Sequence, residues 1–215
     1  MNSQEVFKIR TKTDFEKCAL KIFHLQADQN SVYKKYVEQL GVNPDNVKHI
    51  EQIPFLPIEF FKSQKVVTRD KGQGTSGNKI FLSSGTTGMD RSKHYVSDIK
   101  LYETSFRKGF ELFYGDISNY FLLAFLPSYY ENKNSSLLYM VNDLMKNSEK
   151  KENRFYKNSE QKILLSTLDK LLAENKKVIL FGVSYALLDL TALHPRSLSL
   201  LPPSETNSGS PCTQP

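Results

Sequence analysis

The chain has 215 residues, of which 39% are hydrophobic and 12% aromatic, enough for a sizeable core. Its net charge of +6 is spread along the chain without a dense basic run, so composition disfavours a nucleic-acid-binding protein. Two cysteines, Cys18 and Cys212, form neither a metal set nor a disulfide framework, and no metal site is predicted. The amino terminus lacks an apolar signal core and no apolar run reaches the length of a membrane span, so we expect a cytoplasmic protein.

Residues 1–70 predict a helical N-terminal segment. Apolar residues at helical spacing predict two helices, the second running from Ser31 to Leu40 and stopped by Gly41. Val66-Val67 predicts a short edge strand beyond them.

Residues 71–191 predict a partial α/β domain. Its strands are expected at Ile80–Leu82, Tyr120–Leu126 and Lys177–Gly182, with helices between them and a polar linker at 147–157. The helix after Asn158 is expected to turn its apolar side chains inward, namely Ile163, Leu164, Leu168, Leu171 and Leu172. Two strand–helix–strand units in series predict an α/β fold with a mostly parallel sheet and flanking helices.

A turn rich in glycine and hydroxyl groups follows the first of these strands. It consists of Ser83, Ser84, Gly85, Thr86, Thr87 and Gly88. Glycines allow backbone angles that side chains forbid, and successive N–H groups in such a turn can form an anion-binding nest. Arg91, Lys93 and His94 follow within reach of an anion. The pattern predicts a phosphate-binding loop; an ordinary Ser/Gly hairpin or surface loop is the alternative.

The SSGTTG stretch resembles the nucleotide phosphate loop of the adenylate-forming enzymes, which include acyl-CoA ligases and peptide-synthetase adenylation domains. The residues before it, Ile53–Lys62, are similar to the I-P-x-x-P segment of one branch, the acyl-protein synthetases of bacterial luminescence operons and the related phenylacetate-CoA ligases. This chain has Met89-Asp90-Arg91 where many members have Pro-Lys. The resemblance covers roughly residues 50–190.

The resemblance implies an enzyme that activates a carboxylic acid, fatty or aromatic, with ATP and Mg²⁺ and passes the acyl group to a thiol or an acceptor protein. The groups that would hold the ATP phosphates are Ser83, Ser84, Gly85, Thr86, Thr87, Gly88 and Lys93. The groups that would border the acyl pocket are Pro127, Ser128, Tyr129 and Gly182. No catalytic residue is predicted. The family's aromatic-Gly-x-Thr-Glu segment, ribose-binding aspartate and C-terminal lysine are not in the sequence, so we expect the N-terminal part of such a ligase, with little or no activity.

Two other function classes stay open. Gly182-Val183-Ser184-Tyr185-Ala186 is close to the nucleophile elbow of a serine hydrolase, in which Ser184 would attack the substrate. Asp189 and His194 follow it too closely for a triad to form easily, and the other three histidines precede Ser184, contrary to the usual order. The third class is a non-catalytic module that binds a nucleotide or another anion.

From Ala192 onward the composition changes. Residues 192–215 contain no lysine and are dense in proline and serine, which predicts a disordered tail unlike the preceding chain. An abrupt change within a predicted helix suggests the hypothesis of a truncated or frame-shifted reading frame.

Overall fold

A computed structural model describes residues 3–68, 79–83, 91–126 and 134–193. These residues form two compact units. The first unit contains the described residues of Met1–Leu112 and Asn134–Met140, and the second contains those of Phe113–Lys133 and Val141–Pro215. Residues 194–215 of the predicted tail lie outside the described residues. Across the described ranges, no helix is both long enough and apolar enough to cross a membrane.

The first unit begins with helices. A short 3-10 helix, Ser3–Lys8, precedes α1 (Lys12–Gln29) and α2 (Ser31–Gln39). The buried Asn30 joins the two helices, since its N–H donates to the Gln26 carbonyl and its Oδ1 accepts the N–H groups that open α2. Gly41 has a φ of +67° and ends α2 as predicted. The helices share one apolar cluster of Phe23, Ala27, Tyr33, Val37 and Val47.

The rest of the first unit contains short helices and a hairpin. The helices are two 3-10 turns, Pro44–Asn46 and Ile50–Gln52, and α3 (Phe60–Ser63). Strands β1 (Lys79–Leu82) and β2 (Lys93–Val96) pair antiparallel, with Leu82 opposite Lys93. The helix α4 (Ile99–Tyr114) follows the hairpin. The edge strand predicted at Val66-Val67 is wrong, because these residues have no strand partner in the described chain.

The second unit is built on a parallel sheet. Its strands are β3 (Tyr120–Phe125), β4 (Arg154–Tyr156) and β5 (Lys177–Gly182), in the order β4-β3-β5. Helices α5 (Ser136–Ser148), α6 (Gln161–Ala173) and α7 (Ser184–Leu193) accompany them. Two 3-10 turns, Ile117–Asn119 and Asn158–Glu160, precede β3 and α6.

The central strand β3 is covered on both faces, as its continuous apolar run predicts. Its residues 122–125 are fully buried. Leu123 and Phe125 belong to a cluster with the inward residues of α6 and α7, namely Leu164, Leu165, Leu168, Leu171, Ala186 and Leu190. Ile163 was expected in this core but is 50% exposed, because it lies beside the helix face that carries Leu164, Leu168 and Leu171.

The α/β class is confirmed, but a mostly parallel sheet is not supported. Strand β1 was expected in the parallel sheet and instead pairs with β2, which follows it closely enough to form a hairpin. Strand β4 lies inside the segment 147–157 that was predicted as a linker. Both β2 and β4 are too short for apolar alternation to reveal them.

We expect Leu168→Ala to lower the free energy of unfolding by about 2–5 kcal/mol, because Leu168 is 1% exposed and its removal leaves a cavity. The control Ile163→Ala, on the same helix but half exposed, should cost about 1 kcal/mol or less. Urea unfolding followed by circular dichroism measures both. Equal losses would contradict the inward face assigned to α6.

Candidate functional site

The predicted phosphate loop connects the two strands of the hairpin. Because Leu82 lies opposite Lys93, residues 83–92 leave one end of the hairpin and return to it. Ser83, Arg91 and Ser92 are described at the base of this hairpin loop. The remaining predicted ligands, Ser84, Gly85, Thr86, Thr87 and Gly88, lie outside the described residues. The structure therefore describes the two strands that the loop connects and the residues that flank the loop.

Two serines close the base of the hairpin loop. The Ser83 N–H donates to the Ser92 carbonyl at 3.1 Å, and the Ser92 N–H donates to Ser83 Oγ at 3.0 Å. Ser92 is buried, while Ser83 is half-buried. The Ser83 amide is therefore engaged within the hairpin, and the hydroxyl hydrogen is the group that Ser83 can still offer to a ligand. The neighbouring Leu82 N–H donates to the Asn134 carbonyl at 3.0 Å.

Two cations flank the base of the loop. Arg91 and Lys93 are both exposed, and neither forms an ion pair with another described residue. His94 stacks on Phe61, with ring centroids 4.9 Å apart and planes 19° from parallel. Arg91 and Lys93 are thus the described cations that an anion held by the loop would meet, while the His94 ring packs within the first unit.

A mixed apolar and polar cleft of about 600 Å³ lies in the first unit beside the other end of β2. Phe61, Val66 and Val67 form part of its wall, and Tyr95 and Val96 of β2 also line it. The hairpin loop joins β2 at Lys93. Val96, at the other end of β2, lies three residues or about 10 Å away. Sequence reasoning missed this cleft, because its walls come from segments that are far apart in the chain.

The polar groups of this cleft do not suit phosphate. Asp98 is the one charged residue among those that line it, and its Oδ1 accepts the Leu101 N–H as the cap of α4. Gln26 Oε1 accepts hydrogen bonds from Asn30 and Thr68. Burial raises the pKa of Tyr102, whose hydroxyl donates to the Ser136 carbonyl at 3.3 Å. A carboxylate at its edge makes this cleft repel anions, so we do not count it as part of the phosphate site.

The predicted acyl pocket has one described residue. Pro127, Ser128 and Tyr129 lie outside the described residues, and Gly182 ends β5. A Cβ at position 182 would clash with Leu187 Cδ2 and lie 2.5 Å from Leu187 Cγ. The space beside Gly182 is therefore filled by Leu187 of α7. Close packing of the helix on the strand is a sufficient reason for a glycine here.

Ser184, the nucleophile of the hydrolase alternative, is exposed at the first position of α7. Asp189 lies on the same helix, and His194 lies outside the described residues. The described residues of the second unit include no histidine. A Ser-His-Asp arrangement is thus not formed by the part of this unit that the structure describes.

In the described ranges, no three His, Cys, Asp or Glu side chains lie close enough together to hold a metal ion.

Comparisons with known proteins give no assignment. No protein-family model matches the chain, and searches of curated proteins and of solved structures find no significant match either.

We expect Gly182→Ala to lower the free energy of unfolding by about 1–3 kcal/mol, because the added methyl group would displace Leu187. In a Leu187→Ala background the same change should cost about 0.5 kcal/mol or less. Urea unfolding of the four variants of this double-mutant cycle measures the coupling. An unchanged cost in both backgrounds would show that Leu187 is not what requires the glycine.

Proposed function

We propose that the chain binds ATP through its phosphate groups at the hairpin loop, and that this binding serves carboxylate activation of the kind carried out by the adenylate-forming enzymes. The observation that carries the proposal is the hairpin itself. A glycine- and hydroxyl-rich sequence connects two paired strands. Ser83 and Ser92 close the base of this loop by two hydrogen bonds, and Arg91 and Lys93 are exposed beside it.

The closed base would help to orient the loop. Backbone N–H groups bind phosphate oxygens well only when they converge, and convergence is lost if the ends of a loop can move apart. The two hydrogen bonds between Ser83 and Ser92 hold those ends together. Lys93 is the first residue of β2, so its backbone position is set by the pairing with Leu82.

In the proposed reaction an oxygen of the carboxylate attacks the α-phosphorus of ATP, and the bond to the bridging oxygen of the β-phosphate breaks. The products are an acyl-adenylate and pyrophosphate, and a thiol or acceptor protein then takes the acyl group and releases AMP. The hairpin loop would hold the β- and γ-phosphates, and Arg91 and Lys93 would offset the negative charge on the departing pyrophosphate. Mg²⁺, bound with ATP, reduces charge repulsion among the phosphate oxygens.

These 215 residues supply the phosphate-binding part of that chemistry. The adenine-side and ribose-binding segments that the resemblance implies do not occur in them. We therefore propose ATP binding without efficient turnover for this chain, and a fatty or aromatic acid as the carboxylate of the complete reaction.

Calorimetric titration with ATP·Mg²⁺ tests the proposal. We expect weak binding, abolished by Gly85→Val with Gly88→Val because the side chains would prevent the loop from closing around a phosphate. Lys93→Ala should weaken binding roughly tenfold, the value of one hydrogen bond to a charged group. Lys48→Ala, at an exposed position elsewhere in the first unit, is the matched control and should change nothing.

Two results would contradict the proposal. One is the absence of ATP binding by the unchanged chain, and the other is equal binding by the glycine variants. Exchange of pyrophosphate into ATP, dependent on added fatty acid, tests turnover separately. Rapid exchange by the 215-residue chain would overturn the claim that it does not turn over efficiently.

A further inference from the structure

The cleft beside β2 in the first unit is walled mainly by apolar side chains. Of the described residues that line it, four are aromatic and five are aliphatic. The aromatic residues are Phe7, Phe61, Tyr95 and Tyr102. All nine of these side chains are half-buried, so each still leaves part of its surface to water. The fold thus brings apolar groups from separate segments of the chain to one concave surface without covering them.

Such a surface favours a ligand with an aromatic body. Apolar surface that a ligand removes from water contributes favourably to binding. Aromatic rings in addition favour a further ring in an edge-to-face or offset-stacked arrangement. The volume of about 600 Å³ lies within the range of about 300–1,000 Å³ that is usual for small-molecule sites. A small aromatic molecule therefore suits these walls better than a polar one.

One polar group of the cleft, the Gln26 amide, has a defined orientation. Asn30 Oδ1 accepts the N–H groups of Val32 and Tyr33, both at 3.2 Å, so the other end of the Asn30 amide is the donor Nδ2. This Nδ2 lies 3.1 Å from the Gln26 amide and requires an acceptor there, so the Gln26 atom that it meets is the oxygen. Thr68 donates to the same oxygen at 2.8 Å. The remaining end of the Gln26 amide is therefore its nitrogen, Nε2.

The Gln26 nitrogen can still donate hydrogen bonds. No residue in the described part of the chain accepts one from it. The nitrogen is not sealed in the interior, because no buried side-chain nitrogen or oxygen of the described residues lacks a partner. Gln26 lines the cleft, so two N–H groups of known orientation are open to a ligand there. These donors would pair with an acceptor such as a carbonyl oxygen.

The charges around the cleft favour an uncharged ligand. Asp98 is the one charged residue among the described residues that line it. The Lys65 Nζ lies 5.5 Å from the centroid of the Tyr95 ring. The Lys108 Nζ lies 5.2 Å from the centroid of the Phe7 ring. Both rings line the cleft, so an anion would meet a carboxylate there and a cation would approach two ammonium groups. An uncharged molecule avoids both repulsions.

Structural roles explain other polar groups of the cleft but not this donor. Asp98 caps α4 through the Leu101 N–H, and the Tyr102 hydroxyl donates to the Ser136 carbonyl. The Gln26 oxygen connects α1 to two later parts of the chain, and a carboxylate oxygen could accept the same two hydrogen bonds. The nitrogen of the amide has no such role within the described fold. A ligand with an acceptor group would give it one.

We propose that the cleft beside β2 binds an uncharged aromatic small molecule that carries a carbonyl or a similar acceptor group. The ring of the ligand would lie among the four aromatic side chains, and its acceptor would receive the free N–H groups of Gln26. None of the residues 83–93 is among the described residues that line this cleft. The site is therefore separate from the ATP-binding loop proposed above.

Titration of the ¹⁵N-labelled 215-residue chain with cinnamamide, followed by NMR, tests the site. Cinnamamide is uncharged, and its phenyl ring is joined to an amide carbonyl through two carbon atoms. We expect shifts of the backbone amides at positions 67, 96, 101 and 105, which belong to three of the segments that line the cleft. Cinnamate has the same ring but a carboxylate in place of the amide. It should bind at least about tenfold more weakly, because its charge would meet that of Asp98.

Protein variants test the donor and the space. Gln26→Glu keeps an oxygen that can accept from Asn30 and Thr68 but loses both N–H groups, so cinnamamide should bind at least about tenfold more weakly. Gln29→Glu is the matched control, because it makes the same chemical change on the same helix outside the cleft, and it should leave the affinity unchanged. Ser105→Phe introduces a ring into the cleft from an exposed position of α4 and should prevent binding.

Further measurements separate this site from other effects. Urea unfolding shows whether each variant is folded, and the comparison of cinnamamide with cinnamate needs only the unchanged chain. The hairpin variant Lys93→Ala should leave the four shifts intact, so that failure of one site does not imply failure of the other. Three results would overturn the proposal: no shifts at these four positions in the unchanged chain, equal affinities for cinnamamide and cinnamate, or an unchanged affinity of folded Gln26→Glu for cinnamamide.

Discussion

One amide side chain connects the main elements of the second unit. Asn153 Oδ1 accepts the Leu122 N–H at 2.8 Å, and its Nδ2 donates to the Met145 carbonyl at 3.0 Å and to Ser148 Oγ at 2.8 Å. The Ser148 hydroxyl in turn donates to the Tyr120 carbonyl at 2.8 Å. Leaving such groups unpaired on folding would cost about 1–3 kcal/mol each. This network fixes the start of β4 relative to the end of α5.

In the hairpin of the first unit, a polar side chain likewise forms a hydrogen bond with a backbone group. Beyond the last strand pair, Leu82 with Lys93, the Ser83 hydroxyl accepts a backbone N–H of Ser92. In both units a short polar side chain satisfies a backbone group at a strand end, where the ladder of main-chain bonds stops. The chain therefore leaves these strand ends, at Ser83 and at Asn153, in a fixed direction.

The hairpin loop and the cleft beside β2 differ in how they can be recognised from the sequence. The hairpin loop is a contiguous stretch, so its glycines, hydroxyls and flanking cations can be read directly along the chain. The cleft beside the other end of β2 is assembled from segments that are far apart in the chain, so no contiguous stretch reveals it. Gly182 is a third case, because the resemblance to the adenylate-forming enzymes implied a place beside an acyl pocket, whereas Leu187 occupies the space beside this glycine.

Local sequence signals were enough to predict the buried strand β3, the strand β5, the stop at Gly41 and the apolar face of α6 apart from Ile163. Burial on both sides selects a continuous apolar run, and a helix stop needs one residue with a positive φ, so both can be read within a few positions. Three features became evident from the folded chain alone: β1 pairs with β2, β4 lies within an apparent linker, and Leu187 fills the space beside Gly182. Strand pairing and side-chain packing depend on which groups from distant parts of the chain come into contact, and no local sequence pattern shows which ones do.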